Sequence, residues 1–306
     1  MMKSVTIEPA DTSAAAIPKQ IRSRIMLDFA ELVKARLTLL VLITTAVGFY
    51  LGAADPVEAL ALFHAVFGTA LAAAGAAALN QWWERRLDAL MHRTRTRPIP
   101  AGRMSPRDAL ILGGTLSFAG VIYLTAACNV LSAALAAATI AIYIFGYTPL
   151  KRISTTNTLV GAIPGALPPL IGWAAARGSL EAPAWSLFAI LFCWQMPHFF
   201  AIAWMYREDY ARAGFRMLSS RDLNGSRSGR QSVVFAALLV VASSLPALSG
   251  LVSRALLPLQ VLAGVAFVAV AVVFYIKREV ADARRLFFAS IIYLPVLLAL
   301  LVATKR

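Results

Sequence analysis

The sequence is short of charge. Asp, Glu, Lys and Arg make up 14% of its 306 residues and hydrophobic residues 59%, whereas a soluble protein averages about 25% charged residues. That balance excludes an ordinary water-soluble globule. Acid is scarcer still, with 15 Asp and Glu against 29 Lys and Arg. Cysteine occurs twice and histidine three times. Cys128 and Cys193 both lie inside apolar runs without metal-ligand spacing, so core packing is the reading for each. Residues 1–24 lack a continuous apolar run, which excludes a secretory signal and leaves a mobile cytoplasmic arm. Ten-residue alternating strands are missing too, which argues against a membrane barrel.

What is present is a series of long apolar runs. A spanning helix needs about 20 mostly apolar residues. Nine candidates run over 37–54, 58–79, 108–127, 130–148, 158–176, 184–205, 231–249, 255–276 and 286–303. The segments between them are too short for a soluble domain. The expected fold is all-α: one domain over 25–306, a polytopic membrane bundle of nine transmembrane helices around a central cavity. With the N-terminus in the cytoplasm, 25 of the 29 basic residues fall on the cytoplasmic side, and only Arg177, Arg254, Lys305 and Arg306 on the other. That is the positive-inside pattern. It accounts for the net charge of +14 without nucleic acid. It implies an integral, multi-pass membrane protein with its long loops in the cytoplasm, and the expected location is the cell inner membrane.

Two of those loops, 80–107 and 206–230, concentrate the polar chemistry. The first opens "NQWWERRLDALMHRTRTRPIP". Asn80, Glu84 and Asp88 stand at i, i+4 and i+8, on one helical face and over about 12 Å. Three oxygen ligands at a membrane boundary suit Mg²⁺, which binds through few carboxylates plus substrate phosphates. Arg93, Arg95 and Arg97 suit the phosphates, because guanidinium grips their oxygens bidentately. Pro98 predicts the end of the helical run by Arg97. Ordinary solvated charges, with Glu84 and Asp88 paired to Arg85, Arg86 or His92, explain the spacing equally well. The second loop supplies Glu208 and Asp209 between Arg207 and Arg212. Two acid-plus-arginine loops at one end of a bundle fit the two sides of a metal–diphosphate site. A short echo, "AGRMS" at 101–105 and "AGFRMLS" at 213–219, links the loops.

"NQWWERRLDALMHRTRTRPIPAGR" resembles the first signature of the intramembrane aromatic prenyltransferase (UbiA) superfamily, Asn-x-x-x-Asp-x-x-x-Asp, with Glu84 at the middle position. "YTPLKR" at 147–152, "NTLVGAIPGALPPLIGW" at 157–173 and "WQMPHFFAIAWMYREDYARAGFRML" at 194–218 are similar to the branch that farnesylates protohaem IX. The family's second motif is Asp-x-x-x-Asp; here Tyr206 and Tyr210 stand in roughly those slots, with Glu208 and Asp209 between.

The resemblance implies an enzyme with Mg²⁺ as cofactor and with farnesyl diphosphate and haem B as substrates. Asn80, Glu84 and Asp88 would hold Mg²⁺, and Glu208 and Asp209 a second ion. Arg93, Arg97, Lys151 and Arg207 would bind the diphosphate, and His198 the haem. Trp194, Phe199, Phe200 and Trp204 are candidates to face an allylic cation, with lipid contact or interfacial anchoring as the plainer reading of most of them. The Pro- and Gly-rich helix over 157–173 would wall the substrate cavity. Membrane lipid, and contact with haem A synthase or oxidase assembly factors, complete the expected partners. The alternatives are a sister prenyltransferase acting on an aromatic acid or chlorin, a transporter, and a structural assembly subunit. A transporter predicts acids at mid-membrane, where this sequence has none.

Overall fold

Backbone groups in hydrocarbon have no water to pair with, so an apolar run that crosses a bilayer satisfies them internally as a helix. The computed structural model describes residues 19–306, with side chains from Arg24 onward. Residues 1–18 of the expected arm lie outside the described residues, and residues 19–24 begin α1 (Lys19–Leu32). Then follow α2 (Ala35–Gly52), α3 (Ala59–Asp88), α4 (Pro106–Ala127), α5 (Val130–Ala141), a π-helical turn (Ile142–Tyr147) and α6 (Thr148–Ile153). Next come α7 (Asn157–Ala166), α8 (Pro168–Arg177), α9 (Ala182–Met205), α10 (Arg207–Arg212) and α11 (Leu218–Arg221). The chain closes with α12 (Ser226–Leu248), a 3-10 turn (Arg254–Leu256), α13 (Leu257–Lys277) and α14 (Val280–Ala303).

Among the described residues nine helical spans are long and apolar enough to cross a membrane. The fourth joins α5, the π turn and α6, and the fifth joins α7 and α8. Their outward faces carry large apolar side chains such as Phe118, Phe145 and Leu262, as a lipid-facing surface requires.

The fifth and sixth spans are the most enclosed. Helix α8 lies against α2 so closely that a Cβ at Gly172 would meet the Thr45 carbonyl and one at Gly48 the Pro169 carbonyl. Small residues permit that approach where no hydrophobic drive between helices exists. The break between α7 and α8 falls at Leu167, before Pro168 and Pro169. Gln195 of α9 donates to the Ala162 carbonyl at 2.7 Å, pairing a carbonyl near the break. The Pro- and Gly-rich segment therefore packs against α2 and α9. Both cysteines are free, with Cys193 buried in the main core and Cys128 half-buried.

Candidate active site

Helix α3 runs nine residues past the end of its expected span, to Asp88, and carries Asn80, Glu84 and Asp88 down one buried face. It does not continue to Arg97. The chain turns back after Asp88: Thr94 Oγ1 donates to the Asp88 carbonyl at 2.8 Å, and Arg97 reaches the Asp88 carboxylate at 2.6 Å. The Thr94 bond caps the Asp88 carbonyl, the Arg97 pair holds the returning loop against the helix end, and Pro98 acts only on the loop beyond.

Each member of the face is held by a different cation. Lys34 Nζ donates to Asn80 Oδ1 at 2.7 Å. Lys151 Nζ donates to both Glu84 oxygens, at 2.8 and 3.0 Å. Arg97 holds Asp88 Oδ2, while Asp88 Oδ1 is buried with no hydrogen-bond partner among the described residues. The pairing with Arg85, Arg86 or His92 weighed from the sequence is not what forms; Arg85 lies over the Trp82 ring instead.

Three segments bring these cations in. Lys34 forms the corner between α1 and α2 in the left-handed region, φ 50° and ψ 52°, which costs a non-glycine residue about 1–2 kcal/mol. Burial, and then the charges of Arg97 and Lys151, push its ammonium pKa down to about 7. Helix α1 is tied over the site by Arg103, which pairs with Asp28 at 2.8 Å and Glu31 at 3.1 Å. Lys151 arrives on the fourth span, where the π turn is followed by Pro149, which has no N–H to continue the helical ladder. Thr148 Oγ1 donates to the Tyr143 carbonyl and accepts from Asn80 Nδ2 at 3.0 Å. Tyr143 donates to Asn80 Oδ1 at 3.2 Å and stacks on Tyr147, whose ring lies 4.4 Å under Lys151 Nζ. Single-turn π insertions often mark functional sites, and this one turns Tyr143, Tyr147, Thr148 and Lys151 toward α3.

The second loop meets the first through Arg93. Its guanidinium lies 5.2 Å from the Tyr206 ring and 4.7 Å from the Tyr210 ring, and donates to Tyr210 Oη at 2.6 Å. The tyrosines in the slots of a second acidic motif thus position an arginine. Asp209 accepts from Arg212 at 2.5 Å and from the Arg93 backbone N–H at 3.4 Å. Burial alone would raise its pKa; the Arg212 hydrogen bond and the backbone N–H groups of His92 and Arg93 hold it below the usual carboxylate range. Glu208 is exposed and lines a polar pocket with His92, Tyr206, Arg207, Asp209 and Arg212. Arg207 stacks over Trp204, and Arg95 is exposed. The echo between the loops has a backbone basis: Gly102 and Gly214, each following an alanine, take φ of 70° and 72°, and a side chain in that region is strained.

His198 lies elsewhere. It sits ten residues before Glu208, at the seam between α9 and α14. Its ring stacks on Trp194 (5.2 Å) and Phe287 (4.9 Å), and Nδ1 contacts Ser290 Oγ at 2.8 Å. Trp194 and Trp204 tie α9 down by donating to the Ser290 and Arg278 carbonyls, and Phe200 is buried with Ala162 and Met196. These rings pack the bundle. The rings around the stripe are Tyr143, Tyr147, Tyr206, Tyr210 and Phe215. The sequence offered no signal for Lys34 or Tyr143; the quoted YTPLKR carried Tyr147, Thr148 and Lys151 together.

Oxygen ligands beneath a ring of cations, at one end of an apolar bundle, suit a substrate with a greasy tail and a strongly anionic leaving group. Prenyl diphosphates have that form, and the chain belongs to the UbiA prenyltransferase family, whose pattern matches residues 41–292. It is an integral, multi-pass membrane enzyme of the prenyl-transferring class. Among its relatives, the protoheme IX farnesyltransferase of Solibacter usitatus (strain Ellin6076) is 44% identical over 289 residues, 92% of this chain and 99% of that one. The mitochondrial protoheme IX farnesyltransferase of Homo sapiens is 40% identical over 278 residues, 90% of this chain and 62% of that one. Of solved structures, one of digeranylgeranylglyceryl phosphate synthase superposes with a TM-score of 0.77 at 14% identity, covering 92% of this chain and 98% of that one. A UbiA homolog from Archaeoglobus fulgidus bound to DMAPP and Mg²⁺ gives 0.67 at 15% identity, covering 90% and 99%. At those identities the likeness establishes the fold.

Proposed function

We propose that the protein transfers the farnesyl group of farnesyl diphosphate to a vinyl group of haem B, giving haem O and diphosphate. The substrate pair rests on the likeness to protoheme IX farnesyltransferases over nearly the whole chain. The chemistry rests on one observation: Asn80, Glu84 and Asp88, on one buried helical face, each contact a separate cation. The face fits Mg²⁺, because it offers hard oxygen donors and one of them, Asp88 Oδ1, is buried without a partner. Asn80, Glu84 and Asp88 would hold the ion, and Glu208 with Asp209 a second one. Bound there, Mg²⁺ supplies electrostatic stabilisation of the departing diphosphate.

In this reading Arg97 and Lys151 turn from the acids, Lys34 from Asn80 and Arg93 from Tyr210, to the phosphate oxygens. They stabilise the charge that builds as the C–O bond of farnesyl diphosphate breaks. Arg93 is pre-positioned by the Tyr206 and Tyr210 rings, and Arg207 lies at the mouth. The apolar bundle keeps bulk water from the allylic cation. The vinyl carbon attacks that cation, and water then adds to the haem side with loss of a proton, completing the hydroxyethyl group. His198 is assigned to haem: Ser290 holds Nδ1, which leaves Nε2 as the atom to meet it. In the cell inner membrane, with the N-terminus cytoplasmic, the stripe opens to the cytoplasm.

Purified protein incubated with haem B, farnesyl diphosphate and Mg²⁺ should yield farnesylated haem by mass spectrometry. Transfer to an aromatic acid or a chlorin, with none to haem, would replace the proposed acceptor. Haem titration of His198→Ala should show weakened haem binding with diphosphate binding kept; unchanged haem binding in the folded variant reduces His198 to packing.

A further inference from the structure

Lys34 reaches Asn80 through the shape of the corner that carries it, and that corner is held from α3. A helix leaves its last carbonyls without intrahelical partners. Here the carbonyls of Glu31 and Leu32, at the end of α1, accept from one amide nitrogen, Gln81 Nε2, at 2.8 and 2.7 Å. The next carbonyl, of Val33, accepts from Thr38 Oγ1 at 2.7 Å. Gln81 is fully buried, and its amide oxygen has no hydrogen-bond partner among the described residues. The side chain commits its donors to the corner and leaves its acceptor unused, an arrangement that costs a buried amide free energy.

Gln81 directly follows Asn80 on α3, so the corner is braced at two adjacent points. Asn80 meets the Lys34 ammonium at 2.7 Å, and Gln81 meets the backbone two and three residues earlier. The brace works against the backbone's own preference. Lys34 sits at φ 50° and ψ 52°, a conformation that a lysine keeps only where its surroundings hold it. From the first loop, Arg103 pairs with Asp28 and Glu31 and holds the same end of α1. Neither Gln81 nor Arg103 hydrogen-bonds to Asn80, Glu84 or Asp88 among the described residues. Their route to the site is the corner and Lys34.

We propose that Gln81 is a positioning residue for the prenyl diphosphate: with Arg103 it holds the corner between α1 and α2 so that Lys34 stands where the phosphate oxygens arrive. The inference rests on Lys34 serving the diphosphate, as the proposed function has it. Without the brace the corner relaxes and Lys34 is in place only part of the time. The apparent affinity for the diphosphate then falls by that fraction.

Titration of the purified protein, in Mg²⁺, with farnesyl S-thiolodiphosphate tests this without any acceptor, since the C–S bond of that analogue resists cleavage. Lys34→Met should weaken binding roughly tenfold, the worth of one hydrogen bond to a charged group. Gln81→Met keeps the length of the side chain and loses its donors; it should weaken binding about fivefold and leave haem affinity unchanged. The double variant should bind like Lys34→Met alone, because a residue that acts through Lys34 then has nothing left to position. Losses that multiply in the double variant, an equal loss of haem affinity, or unchanged analogue binding in folded Gln81→Met would each overturn the proposal. Should Gln81→Met not fold, Arg103→Gln takes its place in the same cycle, with an expected loss of about twofold that vanishes beside Lys34→Met. Unchanged binding in Lys34→Met is a separate failure: it removes Lys34 from the diphosphate site, and the positioning role with it.

Discussion

The two ends of the bundle treat charge in opposite ways. At the stripe end, buried acids meet half-buried cations: Asp88 with Arg97, Glu84 with Lys151. At the far end, cations settle on carbonyls, rings and exposed acids. Lys305 donates to the Ala53 carbonyl and to the exposed Asp55, both at 2.9 Å, and lies 4.7 Å from the Tyr50 ring. Arg177 donates to the Gly52 carbonyl at 2.5 Å and lies over Trp173. These two of the four basic residues that break the positive-inside pattern are latches that close loops. On the proposed function, the pairs of the stripe are the ones that serve chemistry. Removing one partner of a buried pair strands the other at high cost. Exposed pairs contribute about 0–1 kcal/mol and serve as fasteners.

That contrast orders the expected effects. Asp88→Ala should be the most damaging, lowering prenyl transfer by about 10²-fold or more, while the protein still inserts and folds, since the Arg97 side chain it leaves behind is 21% exposed and can turn to water. Turnover beside a size-exclusion profile checks it, and near-normal turnover would remove Asp88 from the site.

Arg97→Lys keeps the charge but loses the planar fork. The KM for farnesyl diphosphate should rise about tenfold, the equivalent of one good bidentate contact. An unchanged KM would assign Arg97 to capping Asp88 alone.

At the far end, Lys305→Met should cost about 1–2 kcal/mol of stability, since the side chain is 7% exposed and its loss leaves the Ala53 carbonyl without that donor, and should leave turnover untouched; thermal unfolding and activity on one preparation measure both. A large loss of turnover would end the division between the two ends.

The smallest effect concerns Glu181, outside the spans. Hydrogen bonds from Ser179 and then from Trp173 hold its pKa below the usual carboxylate range. Its folded pKa is below the unfolded one, so its contribution is present above the unfolded value of about 4.3 and is lost as pH falls through the folded value. Melting curves from neutral pH to below about pH 4 should converge for wild type and Glu181→Gln at the acid end; a gap that widens there would contradict the assignment.

The stripe was legible because helical spacing places i, i+4 and i+8 together whatever surrounds them. Lys34 was not legible. It stands 46 residues before Asn80, in no motif, and reaches the site only because α1 folds back over α3. The roles of Tyr206 and Tyr210 were also hidden: the resemblance gave a second ion to Glu208 and Asp209 and the tyrosines no role, and only the approach of Arg93 from the other loop showed two rings beside a guanidinium. Pro98 gave only an outer bound for the end of α3: the helix stops earlier, at Asp88, whose carbonyl accepts from Thr94 Oγ1.

The sequence alone determined the membrane bundle, its nine spans, the end where the acids gather and the class of chemistry. The first three follow from composition and from the order of apolar runs and charges along the chain, which are local properties; the class of chemistry came from the resemblance of its motifs to a prenyltransferase family. Which cation holds which acid, which rings serve the site, and why two of the basic residues on the far side sit there were decided by tertiary structure. Those pairings join residues tens to hundreds of positions apart, and only the packing of helices brings them within hydrogen-bond reach.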